Sequence, residues 1–203
     1  KYLFQKGSYK DRIKAFISVD GAGPGMDIVV GALGSKRYRA TCRGPGGHSY
    51  GSFGLVNPAY AMAKAIDKIS RMQVPSNPAT TFNVGVISGG TSVNSIPFET
   101  SMEVDLRSES PEELTRLVNA FIANVRAAVQ EENRVRSTVA GPVTVDLKLM
   151  GDRPSGEIAV DAPLVKTAAA VIEALGMDPR YSIASTDANI PISMNIPAIT
   201  LSS

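Results

Sequence analysis

Four polar side chains stand at positions where they could bind a ligand or take part in catalysis: Asp20, His48, Asn94 and Arg107. Asp20 ends the short apolar run AFISVDG, and ligand groups in open α/β sheets usually follow the ends of strands. His48 is the only histidine among 203 residues, so a zinc site built on several histidines is excluded and any catalytic triad has to use it. His48 lies in the glycine-rich segment GPGGHSYGSFG, residues 44–54, where packing in a core is unfavourable.

Each of these residues also has a purely structural explanation. Asp20 begins an Asp-Gly turn, His48 could be an exposed loop residue, and Asn94 could be a turn former in TSVNSIP. Arg107 lies on the polar face of a predicted strand beside acidic residues, where a solvated ion pair is the default. Taken singly, the four residues therefore leave the structural and the functional interpretation open.

Two short motifs are rejected because their context is wrong. GHSYG, residues 47–51, matches the G-x-S-x-G nucleophile elbow, but no histidine follows that could activate Ser49. GAGPGM, residues 21–26, lacks the last glycine of the dinucleotide fingerprint and precedes no helical pattern, so we expect a loop there.

The overall composition excludes other classes of protein. A net charge of +2, from 21 basic and 19 acidic residues, gives no support for a strongly basic nucleic-acid-binding protein. No apolar run approaches the roughly 18 residues of a membrane span, so no membrane association is expected. The single cysteine, Cys42, excludes an internal disulfide framework and leaves the compartment open.

Hydrophobic periodicity predicts a β-α-β-β-α-β unit from residue 37 to about residue 150. This is the ferredoxin-like order, in which two helices pack on one face of an antiparallel sheet. In the second strand, Phe82, Val84 and Val86 are expected to face inward. The four predicted strands cover residues 36–43, 81–90, 98–108 and 143–149.

The predicted helices have recognisable ends. Asn57 is a good N-cap for the first helix, and Ser110 with Glu113 forms a capping box at the start of the second. A third helix is expected to begin after Asp161 and to end at Gly176.

We therefore expect an α/β fold with an inserted ferredoxin-like α+β domain. Residues 1–35 and 154–203 would form part of an α/β domain, and residues 36–153 would form the insertion. Residues 44–54 are too rich in glycine for regular structure, and residues 91–97 are expected to be a loop. The chain lacks an initial methionine and stops directly after the apolar run IPAITL, so we expect a piece of a longer protein.

A series of segments along nearly the whole chain resembles the dinuclear zinc exopeptidases, the family of aminoacylase, glutamate carboxypeptidase, tripeptidase and succinyl-diaminopimelate desuccinylase. In that family a zinc-binding α/β domain carries an inserted ferredoxin-like lid that also forms the dimer. The resemblance thus agrees with the unit predicted from periodicity. The matching segments are SVDG (18–21), GSKRYRATCRGPGGHS (34–49), the Asn57-Pro58 helix start, ISGGTSVNSIP (87–97), VDLRS (104–108), STDAN (185–189) and NIPAI.

The resemblance implies a role for each candidate residue. Asp20 resembles the carboxylate ligand of one zinc ion, and His48 resembles the lid histidine that stabilises the oxyanion in the partner's active site. Asn94 and Arg107 resemble lid groups that hold the amide and the carboxylate of the substrate, and a guanidinium suits a carboxylate because it can bind both oxygens. Asp187 resembles a position close to the metal site, without an assigned role.

The family's other metal ligands are missing from this sequence. A His–Asp pair, a bridging aspartate and a Glu-Glu pair would precede Asp20, and a last histidine would follow the final residue. The longer protein would then be an exopeptidase or amidohydrolase with two zinc ions, cleaving an amide bond near a free terminus of a small peptide or an acylated amino acid. This piece alone would be inactive.

The resemblance also implies a homodimer, formed through an exposed edge strand of the lid. The alternative is a non-catalytic module that uses its ferredoxin-like unit for dimerisation or for binding a small ligand.

Overall fold

The computed structural model describes residues 2–21 and 26–202, so the loop predicted over residues 21–26 lies largely outside the described residues. The helices are α1 Tyr2–Gln5, α2 Pro58–Ser70, α3 Pro111–Val135, α4 Pro163–Ala174 and α5 Asn189–Ile192, and a 3-10 turn covers Lys10–Arg12. The strands are β1 Phe16–Val19, β2 Asp27–Ala32, β3 Gly34–Arg43, β4 Gly47–His48, β5 Thr80–Gly89, β6 Ser95–Ile96, β7 Glu99–Ser108, β8 Thr144–Arg153, β9 Gly156–Glu157, β10 Arg180–Ala184 and β11 Ala198–Ser202.

The contacts between residues divide the chain into two compact units. The outer unit comprises Lys1–Ser35, Arg107–Leu114 and Arg153–Ser203, and the inserted unit comprises Lys36–Leu106 and Thr115–Asp152. The expectation that they correspond to part of a catalytic domain and to a lid stays a prediction. None of the described helices has the length and apolar character needed to cross a membrane.

The inserted unit is built on a four-stranded sheet in the order β5-β7-β3-β8. The chain runs through β3, α2, β5, β7, α3 and β8, and the two central strands are therefore the first and third of the unit. This is the β-α-β-β-α-β arrangement predicted from periodicity, and the expected fold class is confirmed.

The alternating pattern of β3 and β7 divides the sheet into two faces. On the inner face Cys42 is fully buried, and the Tyr38 ring lies 5.5 Å from the Phe121 ring of α3. Burial raises the pKa of the Cys42 thiol to about 11. The other buried apolar side chains of the two central strands are Ala40, Met102, Val104 and Leu106.

The opposite face of the two central strands carries a row of ion pairs. Arg37 Nε lies 3.0 Å from Asp105 Oδ1, Arg39 contacts Glu103, and Arg43 Nε lies 2.8 Å from Glu99 Oε2. Residue numbers rise along β3 and fall along β7 through these pairs, as antiparallel strands require. The pairs thus align the two strands.

Two expectations about the inserted unit are wrong. Val86 is 49% exposed rather than inward, because β5 is an edge strand whose last five residues are all exposed. The glycine-rich segment is not wholly irregular, because β4 pairs with β6 inside the predicted loop. Glycines make this possible, since Gly46 and Gly47 adopt φ of 69° and 147°, where a side chain would be strained.

The outer unit contains a mixed sheet in the order β1-β11-β2-β10, with β9 also pairing with β2. Helix α4 packs on this sheet, and its Val165, Ala169 and Ile172 form a cluster with Ile28 and Ile199. The sequence did not predict β2, β9, β10 or α5.

The third helix begins after Asp161, as predicted, because α4 starts at Pro163. Ala162 occupies its N-cap without a side-chain hydrogen bond. The end of the helix is as predicted, since Gly176 follows it with φ of 77°.

Candidate functional site

The short ribbon of β4 and β6 brings His48 beside Asn94. His48 pairs with Ser95 in the antiparallel register, and the Ser49 N–H donates to the Asn94 carbonyl over 2.9 Å. Two of the four candidate residues, far apart in sequence, therefore lie next to each other in the inserted unit.

The imidazole of His48 is held by its own turn. The backbone N–H groups of Tyr50 and Gly51 both donate to Nδ1 over 3.3 Å. Because Nδ1 accepts these bonds, the proton of the neutral ring lies on Nε2. The side chain is exposed, so Nε2–H is a hydrogen-bond donor in reach of a ligand.

The side chain of Asn94 is oriented by a neighbouring hydroxyl. Ser92 Oγ donates to Asn94 Oδ1 over 2.5 Å, and Asn94 is exposed. With its oxygen engaged in this way, the amide offers its NH2 group as a donor. His48 and Asn94, at neighbouring positions of the ribbon, thus each offer a hydrogen-bond donor.

The end of α3 holds the segment that follows His48. The Ser137 N–H donates to the Gly54 carbonyl over 2.9 Å, and the Val56 N–H donates to the Ser137 carbonyl over 3.1 Å. The Asn57 N–H donates to Glu132 Oε1 over 3.0 Å, and Asn57 Oδ1 caps α2 as predicted by accepting from the Ala59 N–H.

Glu132 is a fully buried carboxylate at the centre of these contacts. Besides the Asn57 N–H, Lys64 Nζ binds its Oε2, and Arg136 Nε lies 3.1 Å from its Oε1. A buried charge is tolerated only when it is paired, and here two cations share one carboxylate. Sequence reasoning missed Glu132, although its position three residues after Val129 places it on the apolar stripe of α3, which is a signal for a buried, paired carboxylate.

Arg107 lies near the end of β7 and belongs to the outer unit, whereas His48 and Asn94 belong to the inserted unit. It lies eight residues from Glu99 along the strand, which corresponds to roughly 26 Å at about 3.3 Å per residue. The segment containing His48 begins at the Glu99 end, because the Gly44 N–H donates to the Phe98 carbonyl over 3.0 Å.

Asp20 and Asp187 lie in the outer unit, and both are exposed. Asp20 follows β1 and its N–H donates to the Leu201 carbonyl over 3.1 Å. The loop containing Asp187 is anchored by Thr186, whose hydroxyl lies 2.7 Å from that of Thr200 on β11.

The described residues do not form a complete metal site. Over residues 2–21 and 26–202, no group of three or more His, Cys, Asp or Glu side chains is placed to hold a metal ion. At most one carboxylate in these ranges, that of Asp20, would therefore serve as a ligand to a metal ion, and this role stays a prediction.

A match to a known family identifies the inserted unit. Residues 30–133, just over half of the chain, match the family described as the peptidase dimerisation domain. The chain belongs to this family. The peptidase dimerisation domain thus includes the β4–β6 ribbon and both of its donors, and the resemblance inferred from the sequence is confirmed at the level of the family.

Solved structures with a similar fold are peptidases and amidohydrolases. Aminopeptidase PepT from Bacillus cereus is 25% identical with a TM-score of 0.74, over 95% of this chain and 50% of that chain. A tripeptidase from Staphylococcus aureus is 23% identical with a TM-score of 0.73, over 93% of this chain and 48% of that chain. An aminobenzoyl-glutamate utilization protein from Klebsiella pneumoniae is 18% identical with a TM-score of 0.69, over 93% of this chain and 49% of that chain.

The chain spans about half the length of these solved structures. A comparison with curated proteins finds no match. Self-association is the property that the name of the peptidase dimerisation domain describes.

Proposed function

We propose that the chain is the lid, with adjoining parts of the catalytic α/β domain, of a longer zinc-dependent exopeptidase or amidohydrolase. The observation that carries the proposal is the β4–β6 ribbon, which brings His48 and Asn94 to neighbouring positions on a peptidase dimerisation domain. The substrate would be a small peptide or an acylated amino acid, cleaved at an amide bond near a free terminus. The similarity to an aminopeptidase and a tripeptidase supports this class.

In this proposal His48 stabilises the transition state. As the scissile carbonyl is attacked, its oxygen becomes an oxyanion, and His48 Nε2–H donates to it. The ring is already oriented by the Tyr50 and Gly51 N–H groups, so the donor needs no reorganisation during the reaction. Asn94 Nδ2 donates to an amide oxygen of the substrate, and Arg107 binds a substrate carboxylate.

A composite site across a dimer is part of this proposal. It is supported by the division of the residues, since Arg107 and Asp20 belong to the outer unit and His48 and Asn94 belong to the inserted unit. His48 and Asn94 of one protomer would serve the active site that contains Arg107 and Asp20 of the other. Asp20 would contribute one ligand to a zinc site that residues outside the described ranges complete, with Asp187 near it.

The dimer would form through the edge strand β5. The last five residues of β5 are exposed, with Val86 and Ile87 at 49% and 63%, and the strand contains no charged residue. The other edge strand, β8, carries Asp146, Lys148 and Asp152, and charged side chains protect edge strands from pairing.

The experiment is the His48→Ala substitution in the longer protein. We expect kcat for hydrolysis to fall about 100- to 1,000-fold, the typical cost of one oxyanion donor, with the zinc content unchanged. Tyr50→Phe is the matched control, because it keeps the backbone donor to Nδ1 and should keep activity. Unaltered turnover in His48→Ala would remove the oxyanion role, and a zinc-free, inactive full-length protein would instead favour the non-catalytic module.

A further inference from the structure

A cavity of about 410 Å³ lies in the inserted unit beside the β4–β6 ribbon. Its walls come from the segment after His48, the start of α2 and the loop before β6, and Arg136 lines it from beyond the end of α3. The volume is in the range of about 300 to 1,000 Å³ found for small-molecule sites.

The charge of the cavity is positive. Arg136 is the single charged residue among the described residues that line it. The guanidinium shares the buried Glu132 carboxylate with Lys64, so two cations face one anion and one positive charge is left uncompensated.

Contacts with an aromatic ring and a carboxylate hold the guanidinium of Arg136 in place, and its Nε makes no hydrogen bond. Its carbon lies 4.7 Å from the centre of the Tyr60 ring, a cation–π contact. Its Nε is buried and makes only an ionic contact with Glu132, without the geometry of a hydrogen bond. A planar guanidinium fixed in this way is suited to bind a carboxylate.

The rest of the lining combines apolar surface with hydroxyl groups. Phe53, Tyr60 and Val93 are exposed at the cavity, and the hydroxyls of Ser49, Ser92 and Ser95 also line it. We propose that this cavity binds a small ligand that has an apolar body and a carboxylate, with Arg136 as the residue that binds the anion.

The position of the cavity connects the ligand with the candidate site. Ser49, which follows His48 directly, lines the cavity, and so do Val93 and Ser95, which flank Asn94, whereas His48 and Asn94 themselves are not among the described lining residues. Assigning the ligand to an acidic, partly apolar portion of the substrate rests on the function proposed above, whereas the binding of a carboxylate does not depend on it.

The test is isothermal titration of the full chain with hippurate, an aromatic carboxylate, and with hippuramide, its neutral analogue. We expect hippurate to bind at least about tenfold more tightly, which corresponds to about 1.4 kcal/mol. Arg136→Gln should abolish this preference, and Arg134→Gln, at an exposed position two residues away, should keep it.

One further variant makes the outcome specific. Ala59→Asp adds a carboxylate to the cavity wall without touching Glu132, and an acidic residue is favourable in the first turn of a helix, so it should fold and weaken hippurate binding. Equal binding of the two probes, or retention of the preference in both Arg136→Gln and Ala59→Asp, would overturn the proposal. Hydrolysis is not measured, so this inference and the proposed function fail separately.

Discussion

Glu132 shows at the scale of single residues how the fold fixes the segment that contains His48. Its carboxylate accepts from the Asn57 N–H at the start of α2 and contacts Lys64 and Arg136, and it is fully buried. The same side chain therefore joins the start of α2 to α3 and to Arg136 just beyond it.

Replacing this carboxylate should destabilise the protein. We expect Glu132→Ala to lower the free energy of unfolding by roughly 2 to 3 kcal/mol, because the Asn57 N–H and two cations lose their partner and a void is left. The measurement is denaturant unfolding followed by circular dichroism. Glu131→Ala is the matched control, since Glu131 pairs with Lys68 on the surface and should matter much less. Equal effects of the two substitutions would show that burial of the carboxylate is unimportant.

The buried thiol of Cys42 makes stability depend on pH in the alkaline range. Burial raises its pKa from about 9 to about 11, so the folded state keeps a proton that the unfolded state releases. The contribution of the protonated thiol to the free energy of unfolding is fully present below pH 9. It should fall by an amount on the order of 2 kcal/mol as pH rises towards 11. Denaturant unfolding at pH 8 and pH 10.5 tests this. Cys42→Ala lacks the thiol, so its free energy of unfolding should fall less between these two pH values. An equal fall in Cys42→Ala would show that groups other than the thiol cause it.

Residue-scale features could be predicted where the interaction is local in sequence. Asn57 caps α2 and the Ser110 hydroxyl accepts from the Glu113 N–H over 3.2 Å, as their spacing predicts. Glu132 was missed because Asn57 and Lys64 lie 75 and 68 residues away, separations that a sequence pattern does not reveal. The contact of Arg136 with the Tyr60 ring is equally remote in sequence.

At the scale of secondary-structure elements, the two edges of the inserted sheet differ in their chemistry. β5 exposes apolar residues and has no charge, whereas β8 has charged side chains along its length. An unprotected edge is a template for a second copy of the same strand.

A charge on β5 should therefore weaken the dimer. We expect Ile87→Lys to shift the longer protein towards monomer in light scattering, while Met150→Lys on β8, at a residue of similar exposure, should leave the dimer intact. A monomeric parent protein, or a dimer disrupted only by Met150→Lys, would contradict the assignment of β5.

Elements with a clear period were predictable, and elements that depend on their neighbours were not. The alternation of β3 and β7 and the stripe of α3 predicted the inserted unit correctly. β4 and β6 have two residues each, and their conformation comes from pairing with each other rather than from propensity. The exposed end of β5 still alternates in sequence, so its pattern wrongly predicted an inward Val86.

At the scale of the whole molecule, the candidate residues are divided between the two units, and we propose that two protomers contribute to one site. His48 and Asn94 lie together on the ribbon, and Arg107 lies near the other end of β7. The central claim is therefore that His48 acts in the active site of the partner, in a protein longer than this chain.

Subunit mixing tests this claim most directly. The longer protein would be produced with His48→Ala in one copy and Asp20→Ala in the other, and hydrolysis would be measured for each homodimer and for the co-expressed mixture. Both homodimers should be nearly inactive, and random pairing should restore about a quarter of the wild-type activity, because each heterodimer contains one site with an intact Asp20 and the partner's intact His48. A mixture as inactive as the two homodimers would contradict the account.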